Sequence, residues 1–255
     1  MDKFGDLGTR IISAIVMVAI ALLAFWLGGY WVAGLLTLLA CVMMWEYAGL
    51  LSARTPRILG VMLLTVVAAM LLSTLFGWKI AVLFLIMGAL ALYNPNRALW
   101  GWSAAGLLYI GGACMALLAI HQGASGSYNV FWLVLVVILS DIGGYFAGRI
   151  FGGPKLWPAI SPKKTWSGTL GGWVLAALAG TALGVFGQYT IVFSIIVCMI
   201  LTIAAQAGDL LESWIKRRHN VKDASDIIPG HGGLLDRFDG MLAASLVFSV
   251  IPGIW

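Results

Sequence analysis

Apolar residues fill long stretches of this chain, and polar residues are confined to short segments between them. A helix needs about 20 mainly apolar residues to cross a bilayer. Nine stretches approach that length, and we predict a membrane-spanning helix in each: 10–27, 30–51, 57–76, 79–93, 98–120, 128–148, 168–187, 189–208 and 235–255. The pattern predicts an all-α, polytopic integral membrane protein with about nine transmembrane helices and a polar loop before the last one.

The composition supports a membrane protein. Of the 255 residues, 62% are hydrophobic and 10% are charged, whereas a soluble domain has roughly 45–50% apolar and ~25% charged residues. No cleavage site of the A-x-A kind follows Trp26, so we expect the first helix to be retained rather than removed as a signal peptide. The three cysteines lie singly in apolar runs and indicate neither disulfides nor a metal site.

The cations lie on one side of the predicted topology. With nine spans and the amino terminus in the cytoplasm, fourteen of the fifteen Lys and Arg residues face the cytoplasm, and only Lys79 lies outside. This distribution follows the positive-inside rule. It also places the polar segment 209–234 in the cytoplasm and the carboxyl terminus outside. Because the cations follow membrane sidedness, the net charge of +5 does not indicate a nucleic-acid partner.

The segment 209–240 is the densest charge cluster in the chain. It holds six of the ten acidic and five of the fifteen basic residues: Asp209, Glu212, Asp223, Asp226, Asp236, Asp239, Lys216, Arg217, Arg218, Lys222 and Arg237. Around His231, successive glycines permit positive φ and expose backbone N–H groups, as in concave phosphate sites. Carboxylates, cations and such a loop together indicate metal-assisted phosphate chemistry.

Helical spacing groups several of these side chains. If the eighth span continues as helix, Asp209, then Glu212 or Ser213, and then Lys216 share one face. Asp236 and Asp239 also share a face, at the start of the last span. Because carboxylates at a helix N-terminus are favoured by the helix dipole, a purely structural role for this pair stays open.

The same segment contains the motifs Ser213-Trp-Ile-Lys216-Arg217, Lys222-Asp223-Ala-Ser225 and Ile228-Pro-Gly-His231-Gly232-Gly233-Leu-Leu-Asp236-Arg237-Phe-Asp239. This pattern resembles the signature of the phosphatidate cytidylyltransferases, the CDP-diacylglycerol synthases. Upstream, Ser140-Asp141-Ile-Gly143-Gly144-Tyr145-Phe-Ala-Gly148-Arg149 and Ser161-Pro-Lys163-Lys164-Thr165-Trp166 resemble a second motif of that family. Many members have Glu or Gln two residues after that Thr, where this chain has Ser167.

The resemblance implies transfer of a cytidylyl group from CTP to phosphatidate, with release of pyrophosphate, in phospholipid biosynthesis at a bacterial plasma (inner) membrane. It implies Mg²⁺, with a second metal ion left open, and a homodimer. We expect one membrane-embedded cytidylyltransferase domain over 1–255, with N-terminal helices in 1–120 and a catalytic half in 128–255.

The resemblance also implies the site residues. The expected catalytic residues are Asp223, Asp236, Asp239, Lys222 and Arg237. The expected substrate-binding residues are Ser213, Lys216, Arg217, His231, Gly232, Gly233, Ser161, Lys163, Lys164 and Thr165. The expected metal ligands are Asp141, Asp209, Asp223, Asp236 and Asp239.

Several of these residues also have structural interpretations. An aspartate within a span costs ~2.5–3.5 kcal/mol to insert, so Asp141 should face a cavity or pair with an arginine. Gly143, Gly144 and Gly148 are also typical of close helix packing. Glu46, the other carboxylate within a span, suits structural pairing and a site role equally.

Three other functions compete with this one. Asp236-x-x-Asp239-Gly240-x-x-Ala243 resembles the opening of the CDP-alcohol phosphotransferase motif, but the Arg and later aspartates of that motif are missing here. A CTP-dependent polyprenol or dolichol kinase would transfer only phosphate to the lipid. A transporter would place its carboxylates near the bilayer midplane, whereas this chain concentrates its charge at one face.

Overall fold

The computed structural model describes residues 3–252, and for residues 3–7 and 10 it describes the backbone only. Ten α-helices and one π-helical segment make up most of this part of the chain. The helices are α1 Lys3–Leu27, α2 Gly29–Leu50, α3 Pro56–Phe76, α4 Trp78–Ala91, α5 Arg97–Gly106, α6 Gly112–Gln122, α7 Gly126–Phe151, α8 Trp166–Phe186, α9 Ile191–Arg218 and α10 Leu235–Ser249. The π-helical segment, Leu107–Gly111, joins α5 to α6 without a break.

A helix overlaps every predicted span, although several spans end a few residues beyond their helix, and α10 ends at Ser249. Six helices are long and apolar enough to cross a membrane: Gly29–Leu50, Pro56–Phe76, Arg97–Gln122, Gly126–Phe151, Trp166–Phe186 and Ile191–Arg218. Ile11–Leu27 and Trp78–Ala91 are apolar but shorter, and α10 has 15 residues. The chain is thus a largely helical, polytopic membrane protein, and the number of nine spans stays a prediction.

A short β-hairpin interrupts the helices, which the all-α prediction did not include. Strand β1, Lys155–Trp157, pairs antiparallel with β2, Ser161–Thr165. Trp157 lies opposite Ser161 and Lys155 opposite Thr165, with an irregularity between the two pairs. The hairpin fixes the segment that carries Lys163 and Lys164. Short strands next to a proline give little periodic signal, so hydropathy alone could not reveal them.

The chain divides into two compact units. The first comprises 1–122 and 219–238, and the second comprises 123–218 and 239–255. The break near 123 falls between the two halves expected from the sequence. However, the segment 219–238 groups with the N-terminal helices rather than with the expected catalytic half.

In the first unit, α2 lies at the centre of the core. Met43, Met44 and Ala40 of this helix are fully buried. The Tyr47 ring packs against Gly106, where an added Cβ would overlap it, and its hydroxyl donates a hydrogen bond to the Trp102 carbonyl at 3.0 Å. Thr55 caps α3 by accepting from the Ile58 N–H, consistent with the preference for threonine at this position.

In the second unit, α7 and α8 pack through glycines. A Cβ at Gly143 would lie 2.6 Å from the Gly171 carbonyl oxygen, and one at Gly168 would lie 2.7 Å from the Gly144 carbonyl oxygen. Small residues let membrane helices approach this closely, so the packing interpretation of Gly143 and Gly144 is confirmed. Elsewhere in this unit, the buried Trp132 ring contacts Phe248 edge to face.

Candidate active site

The second unit contains a hollow of about 460 Å³ bounded by α7, β1, β2, α8 and α9. Five of the predicted site residues line it: Asp141, Lys163, Lys164, Thr165 and Asp209. Within the second unit the structure therefore brings together residues as far apart in the sequence as Asp141 and Asp209. The hollow combines carboxylates, which can bind a metal ion, with ammonium groups, which can neutralise phosphate oxygens.

Asp209 is the central carboxylate of this hollow. It lies near the end of α9, and its side chain forms an ion pair with Lys164 from β2. Its Oδ1 also accepts a hydrogen bond from the Ser213 hydroxyl one turn later, at 3.3 Å. The predicted shared face of Asp209 and Ser213 is thus confirmed, and the lysine pairing places a cation beside the carboxylate.

Asp239 lies beside Asp209 because α10 packs closely on α9. A Cβ at Gly208 would lie 2.5 Å from the Asp239 carbonyl oxygen, so only glycine permits this approach. The Gly240 N–H donates to Asp239 Oδ1 at 2.6 Å. Asp209, Glu212 and Lys164 surround the Asp239 carboxyl group. Three acidic side chains therefore share this corner of the second unit, and Lys164 lies among them.

Two further polar groups line the hollow. The Arg149 guanidinium donates to the Tyr145 hydroxyl at 2.6 Å, and both residues face the hollow. Gln206 accepts from the Trp173 indole N–H at 3.0 Å and donates to the Thr169 carbonyl at 3.3 Å. The sequence analysis assigned no role to Arg149, Tyr145 or Gln206. The signal for Gln206 was present, since a polar amide within an apolar span faces a cavity or a partner.

Thr165 lines the hollow but also has a structural task. Its hydroxyl oxygen accepts from the Gly168 N–H at 3.1 Å and thereby caps α8. The Ser167 hydroxyl donates to the Gly152 carbonyl at 2.5 Å. Ser167 thus fastens the loop after α7. Ser161 begins β2 opposite Trp157 and does not contribute to the lining of the hollow.

The glycine-rich loop, defined here as residues 225–235, belongs to the first unit. Ile228 pairs with Gly232 as an isolated antiparallel bridge, and Gly230 and Gly232 have φ of 75° and 81°. Those angles favour glycine. His231 Nδ1 shares a hydrogen bond of 2.8 Å with the Ser13 hydroxyl of α1. The Arg237 side chain donates to the His231 carbonyl at 3.0 Å. The turn predicted around His231 is confirmed. Ser13 holds the His231 side chain, and Arg237 holds its carbonyl group.

Asp223 and Asp236 both flank Gly232. A Cβ on that glycine would lie 3.3 Å from Asp236 Oδ2 and 3.8 Å from the Asp223 Cβ. Asp236 Oδ2 also accepts from the N–H groups of Ala224 and Gly233, each at 2.9 Å. Asp236 therefore closes the loop onto the start of α10, in addition to any role toward a substrate.

The remaining predicted cations differ in their surroundings. Lys216 Nζ lies 3.2 Å from Glu212 Oε2, and the two side chains are only 12% and 6% exposed. Arg217 donates to the Ile160 carbonyl at 3.4 Å. Lys222 is exposed. Lys216 thus pairs with a buried glutamate, and its expected role in substrate binding stays a prediction.

The predicted metal ligands divide between the units, with Asp223 and Asp236 in the first and Asp141, Asp209 and Asp239 in the second. Among the side chains that the structure describes, no three of His, Cys, Asp or Glu converge so as to hold a metal ion by themselves. Mg²⁺ at a phosphate-transfer site needs only one or two carboxylates together with substrate phosphate and water. Asp141 and Asp209 line one hollow, so the residues present fit this ion.

Comparisons with known proteins identify the class to which this helical membrane protein with a charged hollow belongs. Residues 8–254 match the cytidylyltransferase family. A phosphatidate cytidylyltransferase of Brucella suis is 36% identical over 260 aligned residues, covering 98% of this chain and 94% of the relative. That of Bacillus subtilis is 42% identical over 119 residues, covering 46% and 44%. That of Helicobacter pylori is 38% identical over 146 residues, covering 56% and 54%.

The class is therefore that of the nucleotidyltransferases embedded in membranes. The chain belongs to the cytidylyltransferase family.

Proposed function

We propose that this enzyme catalyses the reaction for which its relatives are named, the transfer of a cytidylyl group from CTP to phosphatidate. The products are CDP-diacylglycerol and pyrophosphate, and the enzyme acts in phospholipid biosynthesis. The family match over residues 8–254 favours this reaction over a CDP-alcohol phosphotransferase, a lipid kinase or a transporter. The observation that carries the proposal is the hollow between helices, in which Lys163, Lys164, Asp141 and Asp209 meet.

The reaction brings two polyanions together. A phosphate oxygen of phosphatidate attacks the α-phosphorus of CTP, and the bond from that phosphorus to the bridging oxygen breaks as pyrophosphate leaves. Lys163, Lys164 and Arg149 line the hollow and would neutralise the phosphate oxygens, since cations placed beforehand stabilise charge as it develops. The lipid phosphate is itself the nucleophile, so a covalent enzyme intermediate is not needed.

We infer that the hollow holds Mg²⁺, with Asp141 and Asp209 as ligands and Asp239 beside them. When bound, this ion would polarise the phosphoryl oxygens and lower the repulsion between the substrates. The Lys164 ammonium, which forms an ion pair with Asp209, would turn toward the triphosphate on substrate binding.

The glycine-rich loop supports a role in nucleotide binding. His231, Gly232 and Gly233 would present backbone N–H groups to phosphate oxygens. Asp223 and Asp236 flank Gly232 and are proposed as further ligands or as positioning groups of this loop. Lys222 and Arg237, both exposed, would bind phosphate, with Ser213, Arg217, Ser161 and Thr165 as further substrate contacts.

The enzyme would lie in a bacterial plasma membrane with the glycine-rich loop and the amino terminus in the cytoplasm, where CTP is available, and the carboxyl terminus outside. The positive-inside distribution of fourteen of the fifteen cations supports this orientation. We also propose that two copies form a homodimer, as the family resemblance implies.

One assay tests the proposed reaction. Purified protein is incubated with phosphatidate, Mg²⁺ and CTP labelled in the base or at the γ-phosphate, and the lipids are extracted. We expect the base label in the lipid and the γ label in pyrophosphate. A γ label in the lipid would instead identify a kinase.

A second test uses the variant Asp209→Asn, which keeps the size of the side chain but removes its charge. Loss of one preorganised electrostatic group typically costs about 100-fold or more in turnover, and we expect that loss here. Turnover near the wild-type rate would contradict the assignment of Asp209.

A further inference from the structure

Glu46 is a fully buried carboxylate in the middle of the first unit. It lies in α2, and its exposed fraction is 0%. Oε1 accepts from the Ser225 hydroxyl at 2.5 Å and from the Leu234 N–H at 2.8 Å. Oε2 accepts from the Leu235 N–H at 2.6 Å. All three donors belong to the glycine-rich loop, 179 to 189 residues further along the chain.

These donors explain how a carboxylate can be buried here. An ionised carboxylate only accepts hydrogen bonds, and burying one without partners is costly. Leu235 is the first residue of α10 and Leu234 precedes it. Backbone N–H groups at a helix start have no partner within the helix, and the helix dipole favours a negative charge there. Glu46 thus supplies a capping carboxylate from a different helix.

The same carboxylate holds both ends of the loop. Ser225 lies at the beginning of the loop and Leu235 at its end, so one side chain holds both ends of this eleven-residue loop. The Ser225 hydroxyl also accepts from the Ile227 N–H at 3.2 Å, which orients its proton toward Glu46. The chain at the loop entrance is thereby fixed relative to the start of α10.

Gly233 shows how tightly this arrangement is packed. A Cβ at that position would lie 2.9 Å from Glu46 Oε1, 2.9 Å from Asp236 Oδ2 and 3.0 Å from the Ser225 nitrogen. Two carboxylates therefore enclose the backbone of Gly233 from two sides. Asp236 and Glu46 together hold the Gly232–Gly233 backbone in one conformation.

We propose that Glu46 is a positioning residue of the reaction, which holds the glycine-rich loop in the conformation that receives CTP. This proposal rests on the proposed role of that loop in nucleotide binding. Glu46 does not touch substrate. It acts through Ser225 and through the first amides of α10.

The test compares Glu46→Gln with the wild-type enzyme. Glutamine keeps the size but replaces one acceptor by an NH₂ donor, which must face a donor in this site. We expect the KM for CTP to rise roughly tenfold or more, because a buried N–H donor is left without an acceptor and the loop is held less firmly. The KM for phosphatidate should stay unchanged. Amide hydrogen exchange in detergent should become faster in 222–238 and stay unchanged in α3.

Two further variants serve as comparison. Ser225→Ala removes one donor and leaves both amide bonds to Glu46, so we expect a smaller change in the same direction. The control is Thr37→Val. Thr37 lies in the same helix as Glu46, and its hydroxyl donates to the Ala33 carbonyl at 2.7 Å. Because this bond lies within α2, we expect wild-type kinetics and exchange.

Faster exchange throughout the first unit, with kcat and both KM values changed alike, would show a merely structural role and overturn the proposal. Unchanged exchange in 222–238 would also overturn it. Exchange that loosens only in 222–238, with the KM for CTP unchanged, would instead refute the nucleotide role of the loop. If the wild-type protein forms no CDP-diacylglycerol, the proposed reaction fails, while the exchange data still report on Glu46.

Discussion

Glu46 and Asp236 both hold the glycine-rich loop through its backbone N–H groups, yet only Asp236 could be assigned to the site from the sequence. Asp236 lies within a dense local motif, next to the loop that it closes. The partners of Glu46 lie at least 179 residues away, and a single sequence does not reveal such a pairing. The free-energy cost of burying a charge shows that a buried carboxylate needs partners, but it does not identify Ser225 and Leu235 as those partners.

The two roles of Asp236 can be separated by two substitutions. Asp236→Asn keeps an oxygen that accepts from the Ala224 and Gly233 N–H groups but removes the charge, whereas Asp236→Ala removes both. We expect the turnover of both variants to be about 100-fold or more below that of the wild-type enzyme. We expect faster amide exchange in the loop for the alanine variant alone.

The measurements are initial rates of CDP-diacylglycerol formation and hydrogen exchange of 222–238. An asparagine variant with near wild-type turnover would show that Asp236 acts only by closing the loop. In that case its charge has no part in catalysis.

At the scale of elements, hydropathy predicted helices well because a bilayer requires each spanning backbone to satisfy its own hydrogen bonds. It could not reveal the hairpin of β1 and β2, since that segment lies outside the apolar stretches. The sequence indicated that the glycines of α7 could permit close helix packing, but it did not indicate which helix they pack against. Their partners on α8, Gly168 and Gly171, follow from the crossing of the two helices rather than from spacing in the sequence.

The crossing of α7 and α8 predicts a sharp difference between two glycine substitutions. In Gly143→Ala the new Cβ would lie 2.6 Å from the Gly171 carbonyl oxygen, so the helices must separate. We expect a loss of stability of about 1–3 kcal/mol, as for other overpacked sites. Turnover should also fall, because both helices line the hollow.

Gly60→Ala is the matched control, since a Cβ there meets nothing within 4 Å and alanine favours the helix. Thermal unfolding in detergent measures both variants. Equal unfolding temperatures would contradict the close packing of α7 on α8.

At the scale of the whole molecule, the order of the helices and the distribution of cations together predict the membrane orientation. The cations were readable from the sequence because orientation depends on where lysines and arginines fall relative to the spans. The sequence did not reveal that 219–238 returns to the N-terminal helices. That return is a tertiary property without a local pattern.

Single cysteines introduced into two loops test this orientation. Ala124→Cys lies between α6 and α7, and Asp226→Cys lies in the exposed part of the glycine-rich loop. In intact cells, a membrane-impermeant maleimide should label the first and spare the second. Cys114 and Cys198 are buried and Cys41 is half-buried, so the parent protein gives a low background. The reverse labelling would invert the proposed topology.

The distance in sequence between Glu46 and its donors also affects how the protein is made. During synthesis, α2 is made long before residues 225–235 leave the ribosome, so its carboxylate at first lacks the three donors that it has in the folded protein. Closure of the loop around Gly233 is then a late event of biogenesis, which removes this charge from the solvent. A nascent chain halted before residue 225 would still have an acidic second helix, without the Ser225, Leu234 and Leu235 donors that satisfy its carboxylate.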